Sequence, residues 1–98
     1  MVEVKRSPIH GRGLFAREAI AKGTVIGKLE GHRTQRNGAY VLWLNQQEGL
    51  RVTNSLRFVN HSNQPNAAYF DDCTLTALSN IRAGEEITHD YEGDGDID

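Results

Sequence analysis

The chain has 98 residues, enough for one small domain, and a fold of this size buries only about 60 to 65% of the surface its unfolded chain exposes. Apolar residues make up 38% and glycine fills ten positions, which fits a turn-rich globular domain better than a disordered chain or a helical bundle. The formal charge of -2 hides a division: up to Arg57 there are ten Lys/Arg against four Asp/Glu, and from Phe58 onward one against nine. The acidic part, with a tail at about 93–98, reads either as a merely solvated stretch or as one that steers a basic partner inward, and it disfavours nucleic acid.

One cysteine, Cys73, allows no intramolecular disulfide and no CxxC zinc cluster, so a reducing interior, cytoplasm or nucleus, is expected. The opening MVEVKRSPIHGRG has no long apolar run and reads as neither a secretory signal nor a membrane span.

In chain order, Val2-Glu3-Val4-Lys5 alternates as a short strand, Ser7-Pro8 breaks it, and His10-Gly11-Arg12-Gly13 is a glycine turn. Ile20-Ala21-Lys22-Gly23-Thr24-Val25-Ile26 and Ile81-Arg82-Ala83-Gly84-Glu85-Glu86-Ile87 share the pattern I-x-x-G-x-x-I. Each predicts a turn with glycine at a positive-φ position, feeding a strand. Gly31–Gly38 is polar and predicts a loop. Tyr40–Leu44 is the most apolar stretch and predicts a buried strand, and Leu50–Thr53 a further one. Residues 54–58 predict one helical turn capped by Asn54 or Ser55. Ala67–Phe70 and Cys73–Leu78 flank Asp71-Asp72 with the spacing of a hairpin.

The densest polar chemistry is RFVNHSNQPN, Arg57–Asn66, where Asn60, His61, Asn63 and Asn66 follow directly on Phe58-Val59. Taken alone, this is either a surface loop bonding to its own backbone or a buried turn whose side chains need partners.

Three segments together resemble the SET domain of protein lysine methyltransferases: HGRGLFA with AIAKGTVI, RFVNHSNQPNA, and IRAGEEITHDYE. The likeness runs from Val4 to Glu92. It implies a mainly β, β-clip fold of several small sheets with a C-terminal pseudoknot, a single minimal SET domain over residues 1–98. It also implies an enzyme that transfers methyl groups from S-adenosyl-L-methionine to lysine in a basic protein. Carried over by matching letters, Gly11, Arg12, Gly13, Asn60, His61 and Tyr91 would contact the cofactor. Tyr91 and Tyr40 would be the catalytic tyrosines, and His89 and Tyr40 would line the substrate channel.

The sequence departs from that pattern at two places. Asn63 stands where many members have a zinc cysteine, so no metal is implied, and one wall of the channel would come from the tail or from a second subunit in a homodimer. His89 stands where the family more often has Phe or Tyr, which leaves the number of methyl groups open. Two other readings remain: a catalytically silent module that binds basic peptides, and a metal site built from His61, His89 and Asp90, for which the ligand spacing is poor.

Overall fold

The computed structural model describes residues 1–92, so the acidic tail lies outside the described residues. These form ten short strands: β1 Val2–Arg6, β2 Arg12–Ala16, β3 Val25–Lys28, β4 Gly31–Thr34, β5 Val41–Trp43, β6 Gly49–Val52, β7 Asn60–His61, β8 Ala67–Tyr69, β9 Thr74–Ala77 and β10 Glu86–His89. One 3-10 turn, Ser55–Phe58, precedes β7. The strands make three sheets, ordered β1-β2-β10-β7, β3-β9-β8 and β4-β6-β5.

Alternation in the first strand and the apolar Leu14-Phe15-Ala16 of the second build the β1–β2 hairpin, paired from Val2↔Ala16 to Arg6↔Arg12. β10 then docks antiparallel on β2, and its other edge takes β7 in parallel, Thr88 opposite Asn60 and His89 opposite His61. The last strand therefore lies between two earlier ones, the seating that a pseudoknot asks for. Leu14, Leu75, Ile81 and Ile87 are fully buried where the sheets meet, each contributing about 1.5 to 3 kcal/mol of transfer free energy.

The two I-x-x-G-x-x-I segments meet. Ile20 and Ile81 exchange both backbone hydrogen bonds at 2.8 Å, and Gly23 and Gly84 take φ values of 88° and 90° in the turns that follow. The glycines are needed because side chains with a Cβ rarely adopt this region.

Three expectations need correction. Gly31–Thr34 is a strand, not a loop: its polar side chains point to solvent from the edge of the β4-β6-β5 sheet, and charged edges are a common defence against strand addition. The stretch at 40–44 is a strand only over Val41–Trp43 and is not buried. It forms the opposite edge of that sheet, with Tyr40 52%, Trp43 39% and Leu44 38% exposed. Asn54 occupies the N-cap position of the 3-10 turn but does not cap it: its Nδ2 donates to the Lys28 carbonyl at 2.8 Å, which fixes the amide with its buried Oδ1 turned away from the turn's N–H groups.

Candidate active site

The Arg57–Asn66 segment finds its partners at long range. Asn66 acts as a short strand for β10: its Nδ2 donates to the Glu86 carbonyl at 2.8 Å, and its Oδ1 accepts the Thr88 N–H at 2.9 Å. Asn60, on β7, aims Nδ2 at three acceptors, the carbonyls of His10 and Arg12 at 3.0 Å each and Glu86 Oε2 at 2.8 Å. Three acceptors around one atom fix the orientation of the amide. Its Oδ1 takes no donor among the described residues.

Glu86 is the hub of this arrangement. Its carboxylate also accepts the Ser7 hydroxyl at 2.7 and 2.8 Å, and Ser7 in turn accepts the Ile9 N–H at 2.9 Å, so the hairpin turn is tied to the last strand. Gly13 makes room for it: a Cβ there would meet the Glu86 carboxylate and lie 3.1 Å from Ser7 Cβ. Neither Ser7 nor Glu86 was singled out in the sequence. The adjacent pair Glu85-Glu86 was the available signal, with nothing to say that the second acid points inward.

Beside Asn60 opens a cleft of about 430 Å³, lined by His10, Gly11, Arg12, Tyr40, Arg57 and Phe58 as well as Asn60. A smaller channel of about 160 Å³ adjoins it, walled by Tyr40, Tyr69, Tyr91, Arg57 and five aliphatic residues. Tyr40 and Arg57 line both chambers. Tyr40 adopts φ 62° and packs edge-on against Phe58 at 5.9 Å, while the Arg57 guanidinium lies 4.3 Å from the Phe58 ring and 5.8 Å from the Tyr40 ring.

Tyr91 donates its hydroxyl to the Val59 carbonyl at 2.8 Å, and Tyr69 donates to the Leu56 carbonyl at 3.1 Å. Burial raises the pKa of both above the ordinary tyrosine value, and the neighbouring Tyr91 adds to the effect at Tyr69. Both therefore stay protonated donors through the physiological range. Tyr69 is a channel residue that sequence reasoning missed, since Ala67–Phe70 reads simply as one arm of a hairpin.

The predicted site residues thus divide. Gly11, Arg12, Asn60 and Tyr40 line the cleft, and Tyr40 and Tyr91 share the channel. Gly13 sits against Glu86, outside the cleft lining. His61 does not line the cleft either: its Nδ1 accepts the Tyr91 N–H at 3.2 Å and lies 3.7 Å from an Asp90 carboxylate oxygen. His89 is not part of the channel lining. Its buried ring packs edge-on against Tyr69 at 4.8 Å and Tyr91 at 4.7 Å, behind the channel, and it borders an outer groove with Trp43 and Phe70. Among the described residues no three His, Cys, Asp or Glu side chains cluster as metal ligands.

A family model described as the SET domain matches residues 11–92. The chain belongs to the SET domain family. Histone-lysine N-methyltransferase 2B of Homo sapiens is 30% identical over 115 residues, covering 93% of this chain and 4% of that protein. Histone-lysine N-methyltransferase set-2 of Caenorhabditis elegans is 31% identical over 118 residues, covering 94% of this chain and 8% of that protein. This SET domain therefore spans less than a tenth of the length of these relatives. The aligned spans also exceed its 98 residues, so the relatives carry additional residues within the same region. A solved structure of a candidate histone methyltransferase from Plasmodium falciparum superposes with a TM-score of 0.74 at 21% identity, covering 93% of this chain and 96% of that one, which shows the shared fold.

Proposed function

We propose that this SET domain is an S-adenosylmethionine-dependent protein-lysine N-methyltransferase acting inside the cell on a basic protein. The observation that carries the reading is the shared wall: Tyr40 and Arg57 border both a cleft of cofactor size and a narrow aromatic channel. A volume of about 430 Å³ falls within the range of about 300 to 1,000 Å³ usual for small-molecule sites. The family membership and the names of the relatives point the same way.

The cleft fits the amino-acid end of S-adenosylmethionine. With Nδ2 committed to the hairpin carbonyls and Glu86, Asn60 has its Oδ1 left to accept from an ammonium group. Arg12 offers a cation for a carboxylate, and the Phe58 ring offers an apolar face. When bound, the cofactor supplies an electrophilic methyl group on a sulfonium.

The side chains of this domain then have three tasks. Asn60, Gly11 and Arg12 orient the donor from the cleft side. The tyrosine-lined channel admits a slender amine and excludes bulk water, and alignment of this kind lowers a two-reactant barrier by about 7 to 11 kcal/mol. The Tyr91 hydroxyl, whose proton is held by the Val59 carbonyl, has lone pairs to accept an amine N–H, which turns the nitrogen lone pair toward the cleft. The amine must arrive neutral although a free lysine has a pKa of about 10.4, and the apolar aromatic lining favours the uncharged form.

Incubation with S-adenosylmethionine and a mixture of histones and ribosomal proteins tests this, with methyl-lysine read by mass spectrometry. Methylated lysine is expected, and Tyr91→Phe should lower transfer at least about 100-fold while leaving the melting temperature within a few degrees. Cofactor binding with no methylation of any basic protein would instead favour the silent peptide-binding module.

A further inference from the structure

Of the nine described residues that wall the channel, Arg57 alone carries a charge. The remaining titratable groups in the wall are the hydroxyls of Tyr40, Tyr69 and Tyr91, with His89 packed behind the last two rings. Among the described residues no carboxylate lines the channel. The Arg57 guanidinium is itself held in place. Its Nη1 donates to the Thr53 carbonyl at 2.9 Å and the Asn54 carbonyl at 3.1 Å, and it lies against Phe58 and Tyr40. Among the described residues no acid pairs with it. A chamber meant to hold an ammonium ion would be expected to offer an anion, and this one offers a fixed cation.

We propose that Arg57 sets the protonation state of the substrate: its charge selects the neutral form of the alkylamine entering the channel, making it a positioning residue for the nucleophile. The assignment rests on the methyltransferase reading. Two like charges several ångströms apart in a medium of intermediate dielectric repel by an amount that lowers the amine pKa by about one unit. Arginine suits the role better than lysine because its guanidinium stays protonated at any pH the enzyme meets and stacks on rings.

The test is the acid limb of the pH–rate profile for lysine methylation, measured on the whole domain. Arg57→Gln removes the charge but keeps a donor for the Thr53 and Asn54 carbonyls, and its acid limb should move about one unit to higher pH. Arg57→Lys keeps the charge, and its limb should stay in place even where the rate falls. Val41→Glu adds an anion to the same wall without touching Arg57, and should move the limb upward as Arg57→Gln does. A purely structural role for Arg57 would lower rates and leave every limb where the wild type has it. That coincidence, in whichever variants fold, would overturn the assignment of Arg57 alone. Absence of wild-type turnover at every pH would overturn the methyltransferase reading and this assignment with it.

Discussion

Tyr69 and Tyr91 face each other at 6.2 Å between ring centroids, with His89 edge-on to both, and their hydroxyls are spent on carbonyls of the segment that leads into β7. In an unfolded chain both would ionise near pH 10, whereas burial in the fold holds both protonated to higher pH. Above about pH 10 the unfolded state therefore sheds protons that the folded state keeps, and stability is lost as pH rises; below that the contribution is fully present. A melting temperature that is flat up to about pH 9.5 and falls beyond about pH 10, in step with tyrosinate absorbance, is the expected outcome. Ionisation of both tyrosines near pH 10 without loss of melting temperature would contradict it. At this scale, Asn60 and Tyr91 were expected in the candidate site because each stands in a motif. Tyr69, Ser7 and Glu86 were not, because which face of a strand turns inward depends on sheets that form only at long range.

The element that organises the site is β10. Asn66 extends its hydrogen bonding, β7 flanks it, and Glu86 at its start ties the Ser7 turn to Asn60. Replacing Glu86 with Ala strips the Ser7 hydroxyl and the Asn60 amide of a charged acceptor, a loss of about 1 to 3 kcal/mol. Denaturant unfolding should show that loss together with weakened S-adenosylmethionine affinity; stability and affinity both unchanged would remove Glu86 from its place as hub. Much of this layer was readable beforehand. The first strand and the hairpin at 67–77 followed from alternation and turn residues, and the glycines at 23 and 84 from their φ requirement, whereas the pairing of the first strand with Arg12–Ala16 did not. The edge sheet was not. Gly31–Thr34 carries too little apolar signal to read as a strand, and Val41–Trp43 carries an apolar signal that the fold leaves half in water.

Among the described residues three small sheets share one buried cluster; the cleft opens between the β1–β2 turn, the 3-10 turn and Asn60, and the channel between the 3-10 turn, β5, β6 and the rings of Tyr69 and Tyr91. The seating of β10 between β2 and β7 joins residues about thirty apart, His61 and Tyr91, in one hydrogen bond at 3.2 Å. No local pattern in the sequence specifies such a seating, and only the likeness to a family anticipated it.

The most direct test is calorimetric titration of the whole domain with S-adenosylmethionine, alongside Asn60→Ala. Saturable binding to one site, weakened at least about tenfold by the substitution, is the result expected from an amide whose remaining oxygen meets the cofactor. No heat of binding by the wild type at millimolar cofactor would contradict the assignment of the cleft.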